Sequence, residues 1–123
     1  MRTIGYNDVL RQIIDGGIAG AQDDYGDEKH CYQLLGSVDG FEVCRDKQPN
    51  ELVKLLQAAR DRQQQAFRDR AEDYWYHRCY AAEIEWVCNC VSVMLMNAGL
   101  TTIVPPTARA LMQTAEIVGV RET

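Results

Sequence analysis

The stretch Asn50 to Ala98, NELVKLLQAARDRQQQAFRDRAEDYWYHRCYAAEIEWVCNCVSVMLMNA, contains neither Gly nor Pro, and both of its ends carry helix punctuation. Pro49-Asn50-Glu51 reads as a start, with a fixed φ, an amide able to accept from orphan N–H groups and an acid against the positive end of the dipole. Gly99 reads as the stop, free to take the left-handed conformation after a helix, with Leu100 placed for the hydrophobic contact of such endings. The expected fold is all-α, a small bundle of about four to five helices built around this long central segment.

The two halves of the segment carry different patterns. From Glu51 to Asp73 the apolar positions are sparse (Leu52, Val53, Leu56, Ala59, Ala66, Phe67), the mark of an amphipathic helix wetted over most of its circumference. From Tyr74 to Met96 two apolar stripes run side by side. Trp75, Cys79, Ala82, Trp86, Cys90 and Val93 form one; Tyr76, Tyr80, Ile84, Val87, Val91 and Met94 form the other. Only Arg78, Glu85, Asn89 and Ser92 are left as a polar strip, so this half needs cover from more than one side. One unbroken helix would be about 74 Å long, more than a domain of this size can wrap. Either the chain breaks near Arg68 to Asp73 or another subunit covers the excess.

Outward from this segment, Val9, Leu10, Ile13, Ile14, Gly17, Ile18 and Ala21 trace a helix from about Asn7 to Asp23. Gly16 and Gly17 inside it signal close packing of another backbone or a local break. A second, weaker pattern covers Lys29 to about Arg45, with Cys31, Leu34, Leu35, Val38, Phe41 and Cys44 on related faces, and Gly36 and Gly40 put its continuity in doubt. Asp46 to Pro49 is the connection to the long segment, since a residue before proline is pushed out of the α region. Pro105-Pro106-Thr107 opens a last helix through about Val118, with Gly119 as its end. No internal repeat or low-complexity segment is visible.

At 123 residues the chain is expected to form one domain, 1–123, and its 46% hydrophobic and 25% charged content argues against global disorder. A net charge of −5 argues against a protein whose main task is neutralising phosphates, so nucleic acid is a disfavoured partner. No apolar stretch approaches a membrane span and no leader pattern opens the chain, so the expectation is a cytoplasmic protein without a membrane partner.

The five cysteines are odd in number and irregularly spaced, which favours reduced, packed thiols over disulfides. Together with His30 and His77 they lack the spacings that bring two ligands to one tetrahedral ion, and Cys88 and Cys90 lie about 200° apart on a helix. No metal or cofactor is expected. His77 has Asp73 four residues before it, able to orient it, but the commoner outcome is a satisfied histidine. Glu83 and Glu85 project to different helix faces. Phosphate loops, nucleophile elbows and H-E-x-x-H are all missing, so no catalytic residues and no enzyme activity are expected.

What remains is interaction. Tyr, Trp and Arg dominate the energetics of protein interfaces, and they concentrate from Phe67 to Tyr80. The candidate partner-binding residues are Phe67, Arg68, Arg70, Tyr74, Tyr76 and His77, with the acidic loop of Asp23, Asp24, Asp27 and Glu28 as the competing surface. Arg60, Arg62, Arg68, Arg70 and Arg78 point to different sides and alternate with acids, which favours a solvated, salt-bridged face over a nucleic-acid groove. The expected function is that of a small acidic helical adaptor or inhibitor docking on another protein or protein complex. In its most specific form it is an accessory protein of a phage or mobile element that blocks a host complex. A homodimer would give the two-sided helix good cover. The alternative is a dimeric DNA-binding transcriptional regulator using the Thr107 to Val118 helix, for which only Arg109 and Arg121 supply charge.

Overall fold

The computed structural model describes residues 6–23 and 27–97, which form four α-helices: α1 (Tyr6–Gln22), α2 (Glu28–Cys44), α3 (Pro49–Arg68) and α4 (Tyr74–Asn97). The all-α bundle expected from the sequence is the fold observed, and the long Gly- and Pro-free segment is broken between α3 and α4 at the place expected. The helix expected over Thr107 to Val118 and the stop at Gly99 lie outside the described residues.

The break is a Schellman ending built without glycine. Arg70 sits in the left-handed region at φ 49°, its N–H donates to the Phe67 carbonyl (3.2 Å), and the Ala71 N–H reaches back to the Ala66 carbonyl (3.0 Å). These are the two bonds that satisfy orphan carbonyls when a chain leaves a helix through a left-handed residue. A like device joins α2 to α3. Arg45 (φ −59°, ψ 133°) and Asp46 (φ 65°) make a type II turn closed by the Lys47 N–H on the Cys44 carbonyl at 3.2 Å. Helix α3 then begins one residue earlier than Asn50 implies. Gln48 is the N-cap, Pro49 occupies the first turn where its missing N–H costs nothing, and the Glu51 carboxylate accepts the Gln48 N–H at 2.9 Å.

Consecutive helices run antiparallel, as their cross-links show. Arg45 of α2 pairs with Asp15 of α1 (2.9 Å), and Arg60 of α3 donates to Glu85 of α4. Consequently α2 and α4 lie parallel, with Lys29 over the Trp75 ring at their beginnings and Gly36 and Gly40 against Tyr76 to Glu83 further along. Helix α4 packs on all three others. The core gathers Leu10, Ile13 and Ile14 of α1, Phe41 and Cys44 of α2, Leu52, Leu56 and Ala59 of α3, and Ala81, Ile84, Val87, Cys88, Cys90 and Val91 of α4. Burial of both Cys88 and Cys90, on different sides of one helix, shows that α4 is covered around much of its girth.

Contacts between helices account for the departures from the sequence pattern. Gly36 and Gly40 do not interrupt α2; they are its buried face. A Cβ at Gly36 would collide with the Tyr76 carbonyl oxygen, and one at Gly40 would stand 2.7 Å from the Glu83 Cβ. With the backbones this close, the face of α2 turned to α4 is set by Gly36, Gly40 and Cys44 at steps of four, and Cys31 and Leu35 fall off it into solvent. Gly17 likewise makes room for the Phe41 ring rather than for a second backbone. On α4, Ala82 is exposed although its stripe is apolar, and Ser92 is fully buried although it belongs to the polar strip. Its hydroxyl satisfies itself on the Cys88 carbonyl one turn back at 2.9 Å.

Candidate functional site

The turn after α3 leaves the last ring of that helix outside the core. Phe67 is 67% exposed, the most open large apolar side chain among the described residues. The reversal at Arg70 brings the first ring of α4 back beside it, with Phe67 and Tyr74 centroids 5.6 Å apart and Tyr74 in edge contact with Trp75 at 5.3 Å. Phe67, Arg68 and Tyr74 share a groove of about 510 Å³ with Gln63 and Gln64. Trp75 is held from the other side by the Lys29 ammonium 3.9 Å above its ring and by Arg78 at 5.0 Å.

Charge at this corner is unevenly engaged. The Asp69 carboxylate accepts from Gln65 at 2.9 Å, and Asp73 holds the His77 Nε2 at 3.0 Å. Arg68 and Arg70 make no ion pair with any described residue. An apolar pair of rings is therefore rimmed by charges of both signs, Arg68 and Arg70 alternating with Asp69, Glu72 and Asp73, on a chain of net charge −5.

Tyr76 and His77 belong to a second groove, of about 420 Å³, with Asp39, Glu42, Arg62 and Tyr80. Tyr76 donates to Asp39 at 2.5 Å and stacks on Tyr80 with centroids 6.1 Å apart. Burial, then the bond to the Asp39 carboxylate, pushes the Tyr76 phenol up to about 12, and Tyr80 is raised too, chiefly by burial. Among the described residues no Ser, Thr, Cys or Lys lines this groove to serve His77 as a nucleophile. The buried thiols elsewhere are poor nucleophiles as well: burial pushes Cys88 and Cys90 up to about 12 and raises Cys44 too. All five cysteines are free, and Cys31 is exposed rather than packed. Among the described residues no three metal-ligating side chains converge.

The ten candidate contact residues thus separate into three places. Phe67, Arg68 and Tyr74 come together; Arg70 forms the turn beside them; Tyr76 and His77 line the second groove. Asp23, Asp27 and Glu28 lie at the α1–α2 connection, where two of them serve the helix: the Asp27 carboxylate caps α2 by accepting the His30 N–H at 3.1 Å, and Glu28 faces the positive end of the dipole. Asp24 lies outside the described residues. Glu83, set aside on sequence because Glu85 projects elsewhere, is half-buried with the Ser37 hydroxyl donating to it at 3.3 Å, while Glu85 goes to Arg60. Its signal in the sequence is a carboxylate between two apolar stripes. Comparison with known protein families, characterised proteins and solved structures finds no match for this chain.

Proposed function

We propose that the chain is a non-enzymatic protein-binding module and that its contact face is the α3–α4 corner. The observation that carries the reading is Phe67, an aromatic ring left 67% exposed beside Tyr74 and Arg68 at a groove. Aromatic rings with adjacent arginines are the residue types on which binding energy concentrates, and a ring held in water by a well-ordered turn recovers its hydration cost only on a partner. The partner that fits presents an apolar anchor flanked by polar groups that meet charges of both signs, because Arg68 and Arg70 alternate with Asp69, Glu72 and Asp73 around the ring. Blocking a host complex on behalf of a phage or mobile element is one biological form of this activity. Of the two surfaces weighed on sequence, the acidic connection has a capping role that accounts for Asp27 and Glu28, whereas Phe67 has none inside the fold.

A photo-crosslinking residue placed at Phe67 tests the reading in cells, with the same residue at Lys54, exposed on α3, as control. One discrete adduct from position 67 and none from 54 is the expected result. No adduct, or the same adducts from both positions, would count against it.

A further inference from the structure

Helices α1, α2 and α4 line a third groove, of about 380 Å³, and its chemistry differs from that of the contact face. Its wall is Phe41 against Trp86 in an edge-on pair, 5.5 Å between centroids and 84° between planes. Its mouth lies over α1, where a Cβ at Gly20 would meet nothing within 4 Å. At its base is the Glu83 carboxylate, whose one polar partner among the described residues is the Ser37 hydroxyl.

We infer that this groove is a binding site for a small organic cation, an ammonium carried on an apolar or aromatic body. A half-buried carboxylate with no cation beside it among the described residues lacks the partner that would offset its lost hydration, and a bound ammonium supplies that partner. The ring pair adds both apolar surface and attraction for positive charge. Anionic ligands are opposed by the same carboxylate. A bare metal ion would find one carboxylate and one hydroxyl, too few oxygens for calcium or magnesium. Burial pushes Glu83 up to about 7, which is what an uncompensated site predicts and what ligand binding would reverse. The groups around it are few: α1 presents glycines and Ala21, α2 presents Gln33 and Ser37, and the ionisable neighbours are the thiols of Cys79 on α4 and Cys44 on α2.

Titration of the full chain with 2-phenylethylamine, followed by backbone amide and Trp86 indole NMR shifts, tests the assignment. Neutral 2-phenylethanol and anionic 3-phenylpropionate serve as matched probes. The amine is expected to shift Gly20, Ser37 and Trp86 saturably, at least tenfold more tightly than either analogue, and more tightly at pH 8 than at pH 6. Glu83→Gln, which keeps the shape, should lose at least tenfold and the pH dependence; Gly20→Leu, which fills the mouth, should lose binding at unchanged helical content. Equal binding of amine and alcohol, wild-type affinity in Glu83→Gln, or no saturable shift would each overturn it.

Discussion

Arg70 holds a backbone conformation that its own Cβ opposes, because leaving α3 through a left-handed residue is what turns the chain back onto α4. Glycine takes that conformation without the clash, and the guanidinium makes no ion pair with a described residue that would be lost. Arg70→Gly is therefore expected to stabilise the fold by about 0.5–1 kcal/mol, read as a raised urea midpoint at unchanged slope. Glu83 gives a prediction with a pH signature. Its folded pKa, about 7, lies above the ordinary 4.5, so the folded state holds the extra proton between those values. Stability then falls as pH rises through that window, and the whole cost is felt above 7. Glu83→Gln should raise the unfolding free energy by on the order of 1–3 kcal/mol at pH 8 and have little effect at pH 4, as urea titrations at the two pH values would show. An equal effect at both would mean that the carboxylate is not desolvated.

At the scale of elements, the α2–α4 contact depends on hydrogen atoms where side chains would stand. Gly36→Ala must push the Tyr76 carbonyl away, and Gly40→Ala the stem of Glu83. Each is expected to destabilise by about 1–3 kcal/mol despite the gain in helix propensity, because neither a backbone carbonyl nor a Cβ fixed to its backbone can yield as the far end of a flexible side chain can. Gly20→Ala in α1 meets open space and should stabilise by about 0.5–1 kcal/mol, so thermal melts of the three variants separate packing from propensity. The same glycines show where sequence reading stops. The boundaries of α1 and α2 and the start of α4 were legible, since apolar residues at steps of three and four and a break at Arg68 to Asp73 are properties of one strand of chain. Whether Gly36 ends a helix or seats one is decided by α4, forty residues on, and no local pattern carries that. Ser92 and Ala82 exchanged their expected places for the same reason: burial depends on which helix arrives, whereas polarity is all that the residue itself declares.

For the whole molecule, the candidate surface was legible in its composition and not in its grouping. Phe67 and Tyr74 could be paired once the break between them was expected, but Tyr76 follows Tyr74 by about 200° around α4 and so opens on a different groove. The acids at the α1–α2 connection looked like a patch because capping is invisible until the helix they cap is seen. No described helix is long and apolar enough to cross a membrane. What the described part of the molecule offers outward is a corner with one open ring, its neighbouring ring and two arginines that pair with no described residue, on a scaffold where burial raises the Cys44, Cys88 and Cys90 thiols and the Tyr76 and Tyr80 phenols. The claim that this corner is where the protein acts is tested most directly by quantitative affinity capture with matched wild-type and Phe67→Asp baits, both confirmed folded by circular dichroism. The account predicts a stoichiometric partner on the wild type, reduced at least tenfold on the variant; a partner retained equally by both, or none on either, would contradict it.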